Sequence, residues 1–346
     1  MSMAVENLAP RPVDARPVDD ISAVIDRLAA ATAQGMEAVN QLILSRSDSP
    51  VDMVPAVANH LIEAGGKRLR PMLTIAASSL FGGAHGNEVR FAAAVEFMHN
   101  ATLLHDDVVD ESDMRRGRPA ARTIWGNQAS VLVGDFLLGQ AFLMMVESGD
   151  LDALGVLSRA AAVIAEGEVF QLAKAGDLAT TPADYERIIK AKTATLFEAA
   201  TEVGAMAGGS DAAARQALAA YGRELGMAFQ LVDDVLDYGG ARGSLGKNVG
   251  DDLREGKMTL PIILALETAT EVEREVIAAA LGNAGSGDDQ LADVVAILAH
   301  YDTLGRTMAL AERHAEAARL ALADIPASPE RDILFTVPEF CTSRAY

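Results

Sequence analysis

The sequence is poor in cysteine, aromatic residues and basic charge, and each shortage excludes a class of protein. Its only cysteine is Cys341, so the chain can form neither an internal disulfide nor a cysteine-based metal site. Aromatic residues make up 5% of the chain while alanine and leucine are abundant, which favours helices over sheets. With 29 basic against 49 acidic residues the net charge is −20, which argues against a nucleic-acid-binding protein.

Long uninterrupted hydrophobic runs are scarce as well. No stretch of about 18 apolar residues free of charge occurs, and the N-terminus lacks the apolar block of a signal peptide. We therefore expect no transmembrane segment and a cytoplasmic protein, in agreement with the low use of cysteine. Residues 1–19 carry three prolines among charged residues, which indicates a disordered lead-in, and residues 20–346 are expected to form a single folded domain.

Apolar residues recur at helical spacing along most of that domain, and the pattern predicts an all-α fold without strands. The segment 117–130 and the glycine-rich segment 239–257 are predicted to be loops, the latter suited to cover a phosphate group. Helices are predicted at about residues 20–44, 54–64, 88–110, 130–148, 151–174, 183–208, 222–238, 271–281 and 289–323, the last broken near Tyr301 or Gly305.

A first acidic cluster lies at the end of the helix predicted at 88–110. Asp106, Asp107 and Asp110 follow a long apolar run, and on a helix Asp106 and Asp110 share one face, about 6 Å apart along the axis. Carboxylates at that spacing suit Mg²⁺, which takes oxygen ligands and keeps part of its shell for water and phosphate. A solvated acidic helix end would be the simpler interpretation of one such cluster alone.

The same Asp-Asp-x-x-Asp pattern returns at Asp233, Asp234 and Asp237, again within an apolar helix. Acids in such a helix are costly unless they are paired or bound to metal, so a second copy favours metal binding over surface charge. We therefore predict that the two clusters face each other and hold about two or three Mg²⁺ ions.

Three basic residues at a helix junction indicate anion binding, although a solvated basic loop would explain this stretch equally well if it stood alone. Lys67 and Arg70 fall in a Gly-Gly-Lys-Arg-Leu-Arg-Pro junction before a predicted helix N-terminus, which favours anions. No serine-histidine-aspartate spacing and no Walker loop is found. The remaining chemistry is metal-assisted departure of a diphosphate, with apolar helix walls that shelter the resulting carbocation from water. The other candidates for two anion pockets are Arg115, Arg116, Lys192, Lys247 and Lys257.

Five motifs in sequence order resemble those of the trans-polyprenyl diphosphate synthases, most closely the long-chain octaprenyl and decaprenyl enzymes. The motifs lie at residues 65–71, 105–117, 192–193, 229–237 and 246–261, and the match spans about residues 20–325. The resemblance implies an isoprenoid-synthase helical bundle around a central cavity and a homodimer. It also implies Mg²⁺-assisted head-to-tail addition of isopentenyl diphosphate to an allylic diphosphate such as farnesyl diphosphate, which would supply a quinone side chain for ubiquinone biosynthesis.

The resemblance also assigns roles to individual residues. Asp106 and Asp110 would hold Mg²⁺ from one wall of the cavity and Asp233 from the other, and the released diphosphate would accept the final proton. The supporting catalytic residues would be Asp107, Asp234, Asp237 and Lys192. The allylic diphosphate would be bound by Arg115, Lys192, Thr193, Gln230, Lys247 and Lys257, and isopentenyl diphosphate by Lys67, Arg70, His99 and Arg116.

Product length is expected to depend on the residues four and five positions before the first aspartate, which in this family face the growing chain. Short-chain synthases carry bulky aromatic residues there, whereas this sequence has the small residues Thr102 and Ala101. We therefore expect an open tunnel, a long product and transient membrane contact for its release. The C-terminal residues 340–346 contain a single arginine, which departs from the basic tail of many family members.

Three alternative functions remain to be compared with a long-chain synthase. One is a geranylgeranyl-type synthase with a shorter product. Another is a non-catalytic subunit of a heteromeric synthase, although such subunits typically lose one aspartate motif and both are intact here. A terpene cyclase is disfavoured because cyclases generally replace the second motif.

Overall fold

Helices account for most of the chain that the computed structural model describes, which is residues 21–83, 86–239, 250–283 and 288–343. The predicted all-α class is therefore confirmed. The lead-in predicted at 1–19 lies outside the described residues, as do Lys247 and most of the predicted glycine-rich loop.

The N-terminal half contains seven α-helices and a short hairpin within the described residues. Strands β1 (Met114–Arg115) and β2 (Arg118–Pro119) are antiparallel, so the expectation of no strands was wrong at this point. The positive φ angles of Arg116, 52°, and Gly117, 74°, reverse the chain tightly enough for the flanking residues to pair. The helices are α1 Ile21–Ser47, α2 Met53–Glu63, α3 Leu69–Ser79, α4 Asn87–Val109, α5 Ala121–Trp125, α6 Asn127–Glu147 and α7 Leu151–Lys174.

The C-terminal half is also helical wherever the structure describes it. The helix predicted at 183–208 is interrupted by a π-helical turn, and the break predicted near residue 301 occurs at Asp302, which has a left-handed φ of 49°. The elements are α8 Pro182–Ile189, the π-helical turn Lys190–Ala194, α9 Thr195–Ala207, α10 Ala212–Gly239, α11 Asp251–Arg254, α12 Leu260–Thr268, α13 Glu271–Ala280, α14 Asp288–His300, α15 Thr303–Ala321 and α16 Pro329–Ser343.

The two helices that carry the aspartate clusters are brought together by α9. This helix packs against both α4 and α10, while α4 also packs on α6 and α10 on α15. Phe91, Phe97 and Leu104 of α4 are fully buried and fix that helix in the core. As a result, the C-terminal ends of α4 and α10 line one cavity.

Two glycines fit tightly around the π-helical turn. A Cβ atom on Gly167 of α7 would lie 2.5 Å from the Cβ of Ala191, and one on Gly226 of α10 would lie 2.6 Å from the Cα of Ala194. Side chains at these positions would push both helices away from the turn. The glycines therefore fix where the turn presents its side chains. π-Helical turns within α-helices are frequent at functional sites.

One described helix, α6, is long and apolar enough to cross a membrane, with a mean hydropathy of 1.8 over its most apolar window. Asp135 interrupts its apolar residues, which is why no charge-free run was found in the sequence. Within the fold 44% of that window is buried, and a core helix of this kind passes the same test. A single such helix is weak support for a membrane span.

Candidate active site

A cavity of about 1130 Å³ lies between the ends of α4 and α10. Both aspartate clusters reach it, as predicted, but Asp107 and Ala101 are not among its lining residues. Ala101 is 2% exposed and packs in the core beneath the cavity wall. The predicted residues that line the cavity are Lys67, Arg70, His99, Thr102, Asp106, Asp110, Arg115, Arg116, Lys192, Thr193, Gln230, Asp233, Asp234, Asp237 and Lys257.

Asp107 is buried at the end of α4 and is paired with Arg115. The Arg115 Nε–H donates to Asp107 Oδ1 over 2.8 Å. Burial raises the pKa of the Asp107 carboxyl, while the guanidinium of Arg115 opposes that rise. The other oxygen, Oδ2, is buried and finds no hydrogen-bond donor in the described part of the chain. Arg115 therefore occupies only one side of this carboxylate.

Lys257 links the first cluster to the segment that follows the second. Its Nζ donates to Asp110 Oδ2 over 2.8 Å and lies 2.6 Å from Glu255 and 3.9 Å from Asp252. Burial alone would lower the pKa of Lys257, but the carboxylates of Asp252, Asp110 and Glu255 raise it above its ordinary value. Burial would likewise raise the pKa of Asp110, but Lys257 and then Lys192 lower it. Lys257 is therefore cationic between acids from both sides of the cavity.

Lys192, on the π-helical turn, lies between two carboxylates. Its Nζ is 3.0 Å from Glu168 of α7 and 3.7 Å from Asp106 of α4. Burial raises the pKa of Glu168 even though Lys192 opposes the rise. Glu168 was not predicted as a site residue. Its signal in the sequence was an acid placed one helical turn after the apolar Ile164.

A chain of hydrogen bonds connects the second aspartate cluster to the π-helical turn. The Tyr185 hydroxyl donates to Asp234 Oδ2 over 2.6 Å, and the Gln230 amide donates to Asp234 Oδ1 over 2.8 Å. The Thr193 hydroxyl in turn donates to Gln230 Oε1 over 2.7 Å. Burial, followed by the charge of nearby Asp252, raises the pKa of Asp234 to about 7.

A separate cationic group occupies the side of the cavity near α3. Arg70 is half-buried and its guanidinium stacks 4.3 Å from the centre of the Phe197 ring, and loss of solvent around it lowers its pKa to about 10. Burial, followed by the charges of Arg70 and Arg116, lowers the pKa of His99 well below its ordinary value, so His99 is neutral. Arg70 Nη1 lies 3.3 Å from His99 Nε2, which therefore serves as the acceptor.

Glu96 of α4 is an acidic residue within this group. It lines the cavity, is 6% exposed and was not predicted. Burial raises its pKa, while Arg68, Arg70 and Arg116 oppose the rise. Its signal in the sequence was an acid inside the apolar run 91–98.

Two further predicted cations are held by neighbouring elements. Arg116 donates to the backbone oxygen of Gly65, and Lys67 lies 4.2 Å from the ring centre of Phe340 on α16. The C-terminal helix therefore contacts Lys67 of the cavity wall through an aromatic side chain. Arg344, the single arginine of the tail, lies outside the described residues.

The chemistry of the donor set suits Mg²⁺. Among the described residues, no three acidic, histidine or cysteine side chains already converge as a metal site. The cavity is nevertheless lined by carboxylates from both clusters, which are the oxygen ligands that hard cations prefer. The residues present therefore fit a divalent metal.

Comparison with known proteins agrees with this arrangement. The family described as "Polyprenyl synthetase" matches residues 51–298. Octaprenyl diphosphate synthase of Escherichia coli K12 is 43% identical over 92% of this chain and 99% of its own. A polyprenyl synthase of Caulobacter crescentus CB15, solved with calcium and isoprenyl diphosphate, has 49% identity and a TM-score of 0.90 over 93% of this chain and 98% of that one. A decaprenyl diphosphate synthase of Rhodobacter capsulatus has 48% identity and a TM-score of 0.88 over 93% of this chain and 99% of that one.

A helical bundle whose cavity joins two aspartate clusters to two cationic groups defines a prenyltransferase. The chain belongs to the polyprenyl synthetase family. The resemblance drawn from the five sequence motifs is thereby confirmed, together with the isoprenoid-synthase fold.

Proposed function

We propose that this chain is a long-chain all-trans polyprenyl diphosphate synthase that adds isopentenyl diphosphate units to an allylic diphosphate such as farnesyl diphosphate. The observation that carries the proposal is one cavity that contains both aspartate clusters and two separate cationic groups. Two diphosphates can thus be held at once, each beside its own set of cations. Similarity to the octaprenyl and decaprenyl enzymes supports a long product.

The allylic diphosphate is assigned to the cations that face the aspartates, namely Arg115, Lys192 and Lys257, with Thr193 and Gln230 beside them. Mg²⁺ would be held by Asp106, Asp110 and Asp233, and when bound it supplies Lewis-acid stabilisation of the departing diphosphate. The calcium in the similar Caulobacter structure supports a divalent cation at this kind of site. In the described structure Lys192 and Lys257 balance the charge of Asp106 and Asp110. They are thus already beside the position where a diphosphate would carry its charge.

Isopentenyl diphosphate is assigned to Lys67, Arg70 and Arg116. Neutral His99 accepts from Arg70 and so orients that guanidinium. Apolar cavity residues such as Leu103 exclude water from the bond that forms between the two substrates. The released diphosphate accepts the final proton.

Long products are assigned to the small residues behind the first aspartate cluster. Thr102 lines the cavity and Ala101 lies directly behind the wall. Neither blocks the space along α4 as an aromatic side chain would. A product of this length suits a quinone side chain, as in ubiquinone biosynthesis.

Assembly is proposed to be a homodimer that buries the outer face of α6. Leu132, Leu143 and Val146 of this helix are 66%, 50% and 62% exposed, and such a concentration of apolar surface is typical of protein interfaces. We also propose that the enzyme is cytoplasmic and contacts the membrane transiently when the product leaves.

Incubation with Mg²⁺, radiolabelled isopentenyl diphosphate and farnesyl diphosphate tests the function. We expect incorporation into products of octaprenyl to decaprenyl length on chromatography, and loss of incorporation in Asp106→Asn or after chelation of the metal. A wild-type chain that incorporates no label would contradict the proposal. A product that stops at geranylgeranyl length would replace it with the shorter-chain alternative.

A further inference from the structure

Tyr185 of α8 is almost fully buried, 4% exposed, and its hydroxyl donates to Asp234 over 2.6 Å. We propose that Tyr185 is a positioning residue for the allylic half of the reaction, because it fixes Asp234, which in turn fixes Gln230 and Thr193. The inference rests on the proposed function, since it assigns Gln230 and Thr193 to the allylic substrate. Tyr185 lies outside the five sequence motifs and its partners lie inside two of them.

Asp234 is the final acceptor in the hydrogen bonds that link Tyr185, Gln230 and Thr193. Tyr185 and Gln230 each donate to one of its oxygens, so the carboxylate determines how the Gln230 amide is turned. Because the amide nitrogen faces Asp234, the amide oxygen faces Thr193 and accepts from its hydroxyl. Burial raises the pKa of Tyr185 well above its ordinary value, which keeps the phenol protonated as a donor. Loss of the phenol would leave a buried Asp234 oxygen without its donor and release the orientation of the chain.

The elements around this chain are held firmly in place. A capping box between Thr181 and Asp184 starts α8, and Gly226 lies against the π-helical turn that carries Thr193. Tyr185 therefore approaches Asp234 from a fixed helix, while Thr193 projects from a fixed turn. Through this arrangement the phenol sets the position of a hydroxyl and an amide at the cavity wall.

In the part of the chain that the structure describes, two of the cations assigned to isopentenyl diphosphate are held by other residues. Arg70 is held by His99 and Phe197, and Arg116 by Gly65. Loss of the Tyr185 hydroxyl should therefore weaken the binding of the allylic diphosphate and leave the binding of isopentenyl diphosphate unchanged. A general loss of folded protein would lower kcat and leave both KM values unchanged.

The test is Tyr185→Phe in the full-length chain, assayed with Mg²⁺ by single addition of isopentenyl diphosphate to farnesyl diphosphate. We expect the KM for farnesyl diphosphate to rise about tenfold, as for a buried acceptor that loses its donor. The KM for isopentenyl diphosphate should stay unchanged. The matched control is Tyr221→Phe. It removes a different buried hydroxyl, on α10, which donates to the backbone oxygen of Leu334 over 2.7 Å. This control should leave the ratio of the two KM values as in the wild type.

Asp234→Asn provides a second variant that keeps the Tyr185 phenol. It should shift the same KM, and adding Tyr185→Phe to it should produce little further change because both act through one acceptor. Equal shifts of both KM values, unchanged KM values, or independent effects in the double variant would each overturn the positioning role. Failure of the proposed function is distinguishable, since the wild type itself would then incorporate no isopentenyl diphosphate.

Discussion

Lys192 and Glu168 form an ion pair between the π-helical turn and α7, with Nζ 3.0 Å from the carboxylate. The pair holds the lysine next to Asp106 of α4. We predict that Glu168→Gln lowers kcat about tenfold, because a charged hydrogen bond that fixes the lysine is weakened. Glu166→Gln is the matched control, since Glu166 is exposed on the same helix and pairs with Arg187 away from the cavity. Steady-state kinetics that give equal kcat values for the two variants would contradict this role.

A side chain in place of Gly226 is predicted to destabilise the contact between α10 and the π-helical turn. An alanine Cβ would lie 2.6 Å from the backbone Cα of Ala194, which cannot move without displacing the turn. Gly226→Ala should lower the free energy of unfolding by about 1–3 kcal/mol and reduce activity with it. At Gly155 of α7 an added Cβ meets only the flexible end of Arg159, so Gly155→Ala should be neutral or stabilise by up to about 1 kcal/mol. Denaturant titrations of both variants test the difference, which should vanish if the turn tolerates displacement.

Product length is predicted to respond to bulk at the cavity wall. Thr102 lines the cavity, so Thr102→Tyr should shorten the product, whereas Thr102→Val keeps the shape and should leave its length unchanged. Ala101→Tyr should also shorten the product, and because Ala101 is packed in the core it should cost about 1–3 kcal/mol of stability as well. Chromatography of labelled products measures the length. Identical products from the wild type and both tyrosine variants would show that the growing chain passes elsewhere.

Glu96→Gln is predicted to make the cationic group near α3 respond more strongly to a bound anion. The substitution removes a carboxylate beside Arg68, Arg70 and Arg116, but burial outweighs their attraction and raises its pKa, so the free energy of unfolding should change little. Added inorganic diphosphate should raise the Tm of the variant more than that of the wild type, since the anion replaces the missing charge. The exposed Glu63→Gln should not show this stronger response to diphosphate. An equal response of Glu96→Gln and wild type to diphosphate would exclude this role for Glu96.

The all-α class could be predicted because it depends on local spacing, and the meeting of the two aspartate clusters because the same costly acidic pattern occurs on two apolar helices. Asp106 and Asp110 share a helical face wherever the helix packs, and Asp233 repeats the pattern on another helix. The β-hairpin could not be predicted, because it depends on the positive φ of Arg116, a conformation that arginine rarely adopts. The π-helical turn was also not predicted, because the two glycines that fix it lie on other helices.

The partners of the predicted residues were harder to predict than the residues themselves. Arg115 donates to Asp107, whereas Arg116 donates to a backbone oxygen. The conformation of the hairpin determines this difference. Tyr185 lies 49 positions before Asp234 in the chain, so the packing of α8 against α7, α12 and the π-helical turn is needed to bring it near α10. Contacts at such separation leave no periodic trace in the sequence.

Lys257 and Arg115 neutralise aspartates in the described structure and are also assigned to a diphosphate. Alanine scanning will therefore overstate their affinity for substrate, because truncation of Lys257 also leaves Asp110 with an uncompensated negative charge that repels the incoming anion. The loss measured for Lys257→Ala should shrink when Asp110→Asn is made in the same chain and substrate binding is measured alone. An inhibitor programme aimed at this cavity would accordingly gain less from anionic groups directed at Lys257 or Arg115 than single-residue affinities suggest, because those groups compete with the aspartate partners.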